Sequence, residues 1–394
     1  MEINQTFLEL NNGVEAVLFQ SIERHENNQI AILIMHSDMS YLNFKPSYYL
    51  AKRGFTILNA NVRNPDGRQD LKMLDVLEGV LYLKGLKGVQ KVILLGHSGG
   101  ATLMSAYQAI AQNGVEIFQN DAMVIQHMDI GKLIEADGIM LLDSNFGNGA
   151  MTLLSVDPSV DNYQLDIYDQ DLTVPYSTEF KQQFFLSQGK RNNEIIKQAR
   201  ERLTLIEQGK GILEDDEPFF VKGASQTKPC NKMINQDITL FSHTKEAYPL
   251  LHKDHSFTNE VIYCTRKPWY PSKNPTHYMM GALSTTIKGY LSGRAVKALD
   301  HYELTDCEVK GIDWNSSYCN TPGNVQYING PILIMGMVDS YEFLASELIY
   351  KMCPSQDKTI AFCEGIGHML LCKDEQMNNA MYDYIQKWIE GRFK

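Results

Sequence analysis

The residues best suited to chemistry stand in residues 91–101, KVILLGHSGGA, where Ser98 occupies the centre of the Gly-x-Ser-x-Gly pattern Gly96-His97-Ser98-Gly99-Gly100. The apolar run 92–95 is long enough for a buried strand and too short for a helix. The residues after it, ATLMSAYQAIAQNG, read as a helix that stops near Gly114. Strand, tight glycine turn and helix together form a nucleophile elbow, in which the flanking glycines let the backbone turn sharply and lift the serine hydroxyl clear of the sheet. Such a hydroxyl attacks only when a base takes its proton and a carboxylate orients that base.

The base candidate is His368. It follows the strand-like TIAFC and a loop carrying Gly365 and Gly367, which places it at the carboxyl edge of a sheet. The carboxylate is open among three residues. Asp339 follows the strand PILIMG, Glu342 stands three residues on at the start of a helix, and Asp143 ends the strand at 138–142. Any of the three also suits a helix cap. An oxyanion hole needs two N–H donors aimed at the developing charge. One is expected from Gly99, the residue after the nucleophile. The other is expected from the loop after residues 31–35, at Asp38 or its neighbours Ser37 and Met39, with His36 bracing that loop.

These residues must be positioned by an alternation of elements. Residues 4–20 form two strands around the turn Asn11-Asn12-Gly13, a hairpin signal. Strands at 31–35 and 55–60 and helices at 46–53 and 71–86 then lead to the Ser98 segment. Near-continuous apolar strands alternating with helices predict an α/β fold, a mostly parallel sheet with helices on both faces. Ligand sites in such sheets lie beyond the carboxyl ends of the strands. The rhythm stops after Asp143 and returns at Gly330-Pro331. The expected organisation is a core at 1–145 and 326–394 with a large, mostly helical cap at 146–325. That cap contains a long helix at 178–208 and another at 282–299. Phe180, Phe184, Phe185, Ile195, Ile196, Leu203 and Ile206 form the core face of the long helix. Trp269, Tyr270, Tyr278, Met279 and Met280 are candidates to line a substrate pocket.

Composition narrows the partners. A net charge of −11 with no Lys/Arg-rich run argues against nucleic acid and anionic membrane surfaces. No run of about 18 apolar residues is present to span a bilayer, and the first residues, MEINQTFLEL, lack a signal-peptide pattern. The seven cysteines form no CxxC and fit free thiols in a reducing cytoplasm. His252-x-Asp254-His255 has metal-binding residue types but no evident fourth ligand, so no metal and no cofactor are expected. Phosphate-loop and dinucleotide fingerprints are absent. Oligomeric state is open, a homodimer included.

The motifs LLGHSGG, PILIMGMVDS and EGIGH resemble the alpha/beta-hydrolase superfamily over two blocks, about 30–145 and 325–394. The resemblance implies an eight-stranded, mostly parallel sheet with its second strand antiparallel and a cap inserted after the sixth. It also implies acyl transfer to water through a serine ester. The family's nucleophile falls on Ser98, its histidine on His368 and its acid on or beside Asp339. The expected activity is hydrolysis of a carboxylic ester, lactone or amide of a small acyl substrate. A C–C bond hydrolase or acyltransferase using the same residues, and a noncatalytic ligand-binding protein of this fold, are the alternatives.

Overall fold

The computed structural model describes residues 2–23, 25–126, 128, 130–160, 172–224, 232–268 and 282–394. The chain opens with β1 (Ile3–Glu9) and β2 (Glu15–Ser21), antiparallel with Glu9 opposite Glu15. Asn12 and Gly13 take φ of 59° and 77° between them, left-handed values that these residue types tolerate. Then come β3 (Ile30–Met35), β4 (Thr56–Ala60), β5 (Lys91–Ser98) and β6 (Gly138–Ser144). All residues of β3, β4 and β6 are buried, as both faces of the sheet are covered. One face packs on helices Gln69–Gly85, Gly99–Asn113 and Phe343–Met352, the other on Pro46–Ala51 and Glu375–Phe393.

The region between β6 and the later core strands holds β7 (Pro218–Lys222), β8 (His243–Leu251), β9 (Phe257–Tyr263), β10 (Ala282–Thr286), β11 (Ala298–Leu304) and β12 (Val309–Ile312). The chain finishes its sheet with β13 (Ile332–Met337) and β14 (Lys358–Cys363). The order across the main sheet is β1-β2-β4-β3-β5-β6-β13-β14-β8-β9. β2 runs antiparallel to both neighbours, the consecutive strands β4, β3, β5, β6, β13, β14 and β8 pair in parallel, and β8 and β9 form an antiparallel edge. This is the alpha/beta-hydrolase fold, with ten strands in the main sheet where eight were expected.

The two added strands come from within residues 146–325, so that segment is not wholly a cap. β14 would otherwise leave a row of unpaired backbone groups at the sheet edge, and β8 covers it, with Leu250 beside Phe362 and Leu251 beside Cys363. The inserted region is also less helical than expected, because β7 pairs with β10 and β11 with β12. Residues 282–299 divide at Thr286. The β-branched pair Thr285-Thr286 extends in β10, and Thr286 Oγ1 then accepts the N–H of Gly289 to cap helix Ile287–Gly293. The long helix, Thr178–Glu207, is capped by Ser177 and buries Phe184, Phe185, Ile195, Ile196, Leu203 and Ile206. No described helix is long and apolar enough to cross a membrane.

Candidate active site

The elbow is built by close approach. A side-chain carbon on Gly96 would meet Ala101 Cα at 2.5 Å, and one on Gly100 would collide with the Met35 carbonyl oxygen. Glycine is therefore required on both sides of Ser98. Ser98 itself holds φ 54° and ψ −129°, a strained conformation for a residue with a side chain. Its Oγ lies 3.0 Å from His368 Nε2.

Parallel order explains why these residues meet. β5, β6, β13 and β14 are consecutive neighbours, so their carboxyl ends open on one edge. Ser98 ends β5, and His368 follows β14. β6 lies next to β5, and its pairing with β5 jumps from Leu142 opposite His97 to Ser144 opposite Ser98. Asp143 is the residue skipped, with φ 44°. The bulge turns its fully buried carboxylate toward the histidine, with Oδ2 2.7 Å from His368 Nδ1. The other oxygen, Oδ1, accepts the Met337 N–H from β13 at 2.9 Å. Glu342, also buried, brings Oε2 to 3.2 Å from the same Nδ1. Asp143 and Glu342 are the described carboxylates within ion-pair reach of His368.

Asp339, the carboxylate favoured from the sequence, does not reach His368. Its backbone N–H bonds to the Ile366 carbonyl at 3.2 Å, and its exposed side chain accepts from Thr265 Oγ1 at 3.5 Å. The turn after β13 thus aims Asp339 outward and returns toward His368 only at Glu342.

Behind His368 lies a group that the sequence pattern did not single out. His97 is fully buried, its ring 4.7 Å from that of His368. His97 Nε2 is 2.5 Å from the His368 carbonyl oxygen and must donate there, so Nδ1 accepts from Tyr41 Oη at 2.6 Å. Burial, with the nearby His368 adding to it, pushes the His97 pKa well below its usual range and keeps the ring neutral. His97 thereby fixes the backbone that carries His368. Its position inside the elbow motif was the available signal, since a polar residue preceding the serine at the end of a buried strand has to find partners.

The loop after β3 lies against Gly99: a side-chain carbon there would stand 3.0 Å from Ser37 Oγ and 3.1 Å from His36 Cε1. Asn148 Nδ2 donates to Ser37 Oγ at 2.7 Å. The Asp38 N–H lies 3.2 Å from His36 Nδ1. The Asp38 carboxylate is clamped by His36 Nδ1 at 2.7 Å and by Arg294 Nη1 at 2.9 Å. Burial opposes its charge, but Arg294 and His36 hold the carboxyl well below the usual range. Arg294 follows helix Ile287–Gly293, so the inserted region grips the core beside the elbow. Nothing in the local sequence around Arg294 marks this role.

His252, Asp254 and His255 lie in the β8–β9 hairpin. His252 bonds Glu364 Oε2 at 2.7 Å and Thr258 Oγ1 at 2.9 Å, while Asp254 accepts from Ser256. Trp269, Tyr270, Tyr278, Met279 and Met280 lie outside the described residues. The arrangement of Ser98, His368 and Asp143 is chemically able to draw a proton from a hydroxyl and hold the resulting imidazolium against a carboxylate.

Neither a family model nor a curated relative matches the chain. Among solved structures it is similar to the siderophore hydrolase EstB from Aspergillus fumigatus, at 9% identity and a TM-score of 0.47, covering 100% of this chain and 98% of that one. It is similar to the alpha/beta hydrolase GrgF from Penicillium sp. sh18, at 10% identity and a TM-score of 0.47, covering 100% and 99%. A bromoperoxidase from Bacillus anthracis shares 12% identity with a TM-score of 0.39, covering 98% and 100%. At these values the likenesses carry no assignment of the site, which rests on the geometry above.

Proposed function

We propose that this chain, which has the alpha/beta-hydrolase fold, is a serine hydrolase that cleaves a carboxylic ester or closely related acyl bond of a small molecule. The observation that carries the reading is the continuous line Ser98 Oγ–His368 Nε2 at 3.0 Å and His368 Nδ1–Asp143 Oδ2 at 2.7 Å. His368 accepts the Ser98 proton on Nε2 as Oγ attacks the substrate carbonyl carbon. The imidazolium formed is stabilised by Asp143, which stays ionised. The tetrahedral oxyanion is received by the Gly99 N–H at the start of helix Gly99–Asn113, whose N-terminal end favours negative charge. Collapse breaks the bond to the leaving group, which takes the proton from His368 and departs as the alcohol. Water then attacks the acyl-serine, with His368 acting again as base, and releases the acid.

The test is paired. Ser98→Ala abolishes turnover of small chromogenic acyl esters while the circular dichroism spectrum is kept, and a fluorophosphonate labels the wild-type chain but not the variant. Full turnover by Ser98→Ala, or a well-folded wild type that takes no label, would rule the reading out.

A further inference from the structure

We infer that Glu342 is a second positioning carboxylate for the base His368, facing the same Nδ1 as Asp143; this rests on the reading of Ser98, His368 and Asp143 given above. The two acids arrive from different strands, Asp143 from the bulge ending β6 and Glu342 from beyond β13, yet both face one ring nitrogen, at 2.7 and 3.2 Å. A neutral imidazole whose Nε2 accepts from Ser98 carries a single proton on Nδ1. The nearer carboxylate takes that hydrogen bond in the resting state. The second completes a negative cradle whose value rises when the ring becomes an imidazolium during turnover, because a buried charge interacts strongly with neighbours in a low dielectric.

The alternative for Glu342 is a structural cap, since it occupies the N-cap position of helix Phe343–Met352. Its side chain makes no capping bond there. The capping contacts are made by the backbone: the Glu342 N–H goes to Ser340 Oγ at 3.1 Å, and its carbonyl accepts from Ala345 at 2.9 Å. The carboxylate instead stands 3.2 Å from His368 Nδ1. Mutual repulsion of the two acids is lessened by the Met337 N–H, which binds Asp143 Oδ1 on the side away from the ring. Among the described residues, polar or titratable groups around the base include Ser98 and His97 from β5, and Tyr41, whose hydroxyl feels the charge of Glu342 and bonds His97.

A cradle of two carboxylates predicts a specific non-additivity. Asp143→Asn leaves Glu342 as the remaining acceptor, so activity falls by about 10²–10³-fold and not to the Ser98→Ala floor. Glu342→Gln in the otherwise unchanged chain lowers kcat about 3–10-fold with KM unchanged, as expected for a contact that strengthens in the transition state. In the Asp143→Asn background the same substitution costs at least about 30-fold, because the last carboxylate is removed. Glu342→Gln alone also moves the acid limb of kcat/KM to lower pH than in the wild type, and Glu342→Asp moves it less. Equal fold-losses from Glu342→Gln in both backgrounds overturn the inference while leaving the Ser98 reading intact. Should the double variant fail to fold, an acid limb unmoved by Glu342→Gln overturns it by itself. Retained turnover in Ser98→Ala instead removes the reading on which it rests.

Discussion

Asp143 leaves the register of β6 with a φ of 44°, and that departure sets its Oδ2 2.7 Å from His368 Nδ1. The carboxylate is fully buried, with one oxygen on the histidine and the other on the Met337 N–H. Asp339, at the end of the next strand, is exposed and points to Thr265. Asp339→Asn is therefore expected to leave kcat/KM within about two-fold of wild type, as befits a solvated group outside the reacting array. Asp143→Asn is expected to lower kcat by at least about 10²-fold, since an amide there no longer stabilises the imidazolium. Steady-state kinetics on an activated ester compares the two directly. A larger loss from Asp339→Asn than from Asp143→Asn would reverse the assignment.

The backbone at Ser98 is strained, with φ 54° at a residue that carries a side chain. Glycine adopts φ 54° without the Cβ penalty, whereas alanine keeps it. Ser98→Gly is expected to be more thermally stable than Ser98→Ala by about 1 kcal/mol, both being inactive. Chemical denaturation of the two variants checks this, and an equal or lower midpoint for Ser98→Gly counts against the strain.

The Asp38–Arg294 pair is an ionic tie between the inserted region and the loop that lies beside Gly99. The two side chains are 14% and 8% exposed and 2.9 Å apart. Arg294→Met leaves a buried carboxylate with less compensation and is expected to cost about 3–5 kcal/mol of stability. It should also lower kcat, because the loop loses the contact that holds it. Adding Asp38→Asn is expected to recover part of the stability, so the two losses are not additive. Losses that simply sum would show that the pair is not coupled.

Lys72 predicts a pH dependence of stability. It is buried, its Nζ donates to the Pro65 carbonyl oxygen at 2.5 Å, and burial followed by repulsion from Arg294 brings its pKa down to about 7. The unfolded chain keeps the ordinary value near 10.5. Between these values the unfolded state binds the extra proton, so this group makes stability rise with pH, by up to about 1.4 kcal/mol per unit. Below the window the penalty of the buried charge is fully present. Lys72→Met removes it and is expected to stabilise the chain at pH 7, with an advantage that shrinks toward pH 9.5. An advantage that does not change with pH would contradict the shift.

Much of the site was legible because its signals are local. The elbow at residues 96–100 needs only a buried strand, two glycines where no side chain fits, and a helix, all contiguous in the chain. His368 was legible for a related reason, a strand end followed by a glycine loop. The alternation of apolar strands and helices likewise foretold a mostly parallel sheet, since strands buried on both faces must be apolar throughout.

What the tertiary structure decided were the relations between strands far apart in sequence. Which carboxylate meets His368 depends on strand order, because β6 lies between β5 and β13, and on a one-residue slip at Asp143 that turns a side chain to a new direction. No local pattern announces that slip, and an acid at a strand end looks the same at 143 and at 339. The joining of β8 and β9 to the main sheet was hidden for the same reason, as β14, the strand that β8 pairs with, lies about a hundred residues further along the chain. The sequence by itself determined the strand–turn–helix segment around Ser98 and the elements that hold it; packing across the sheet edge determined the placing of Asp143, Glu342, His97 and Arg294, because their surroundings are made by residues distant in the chain.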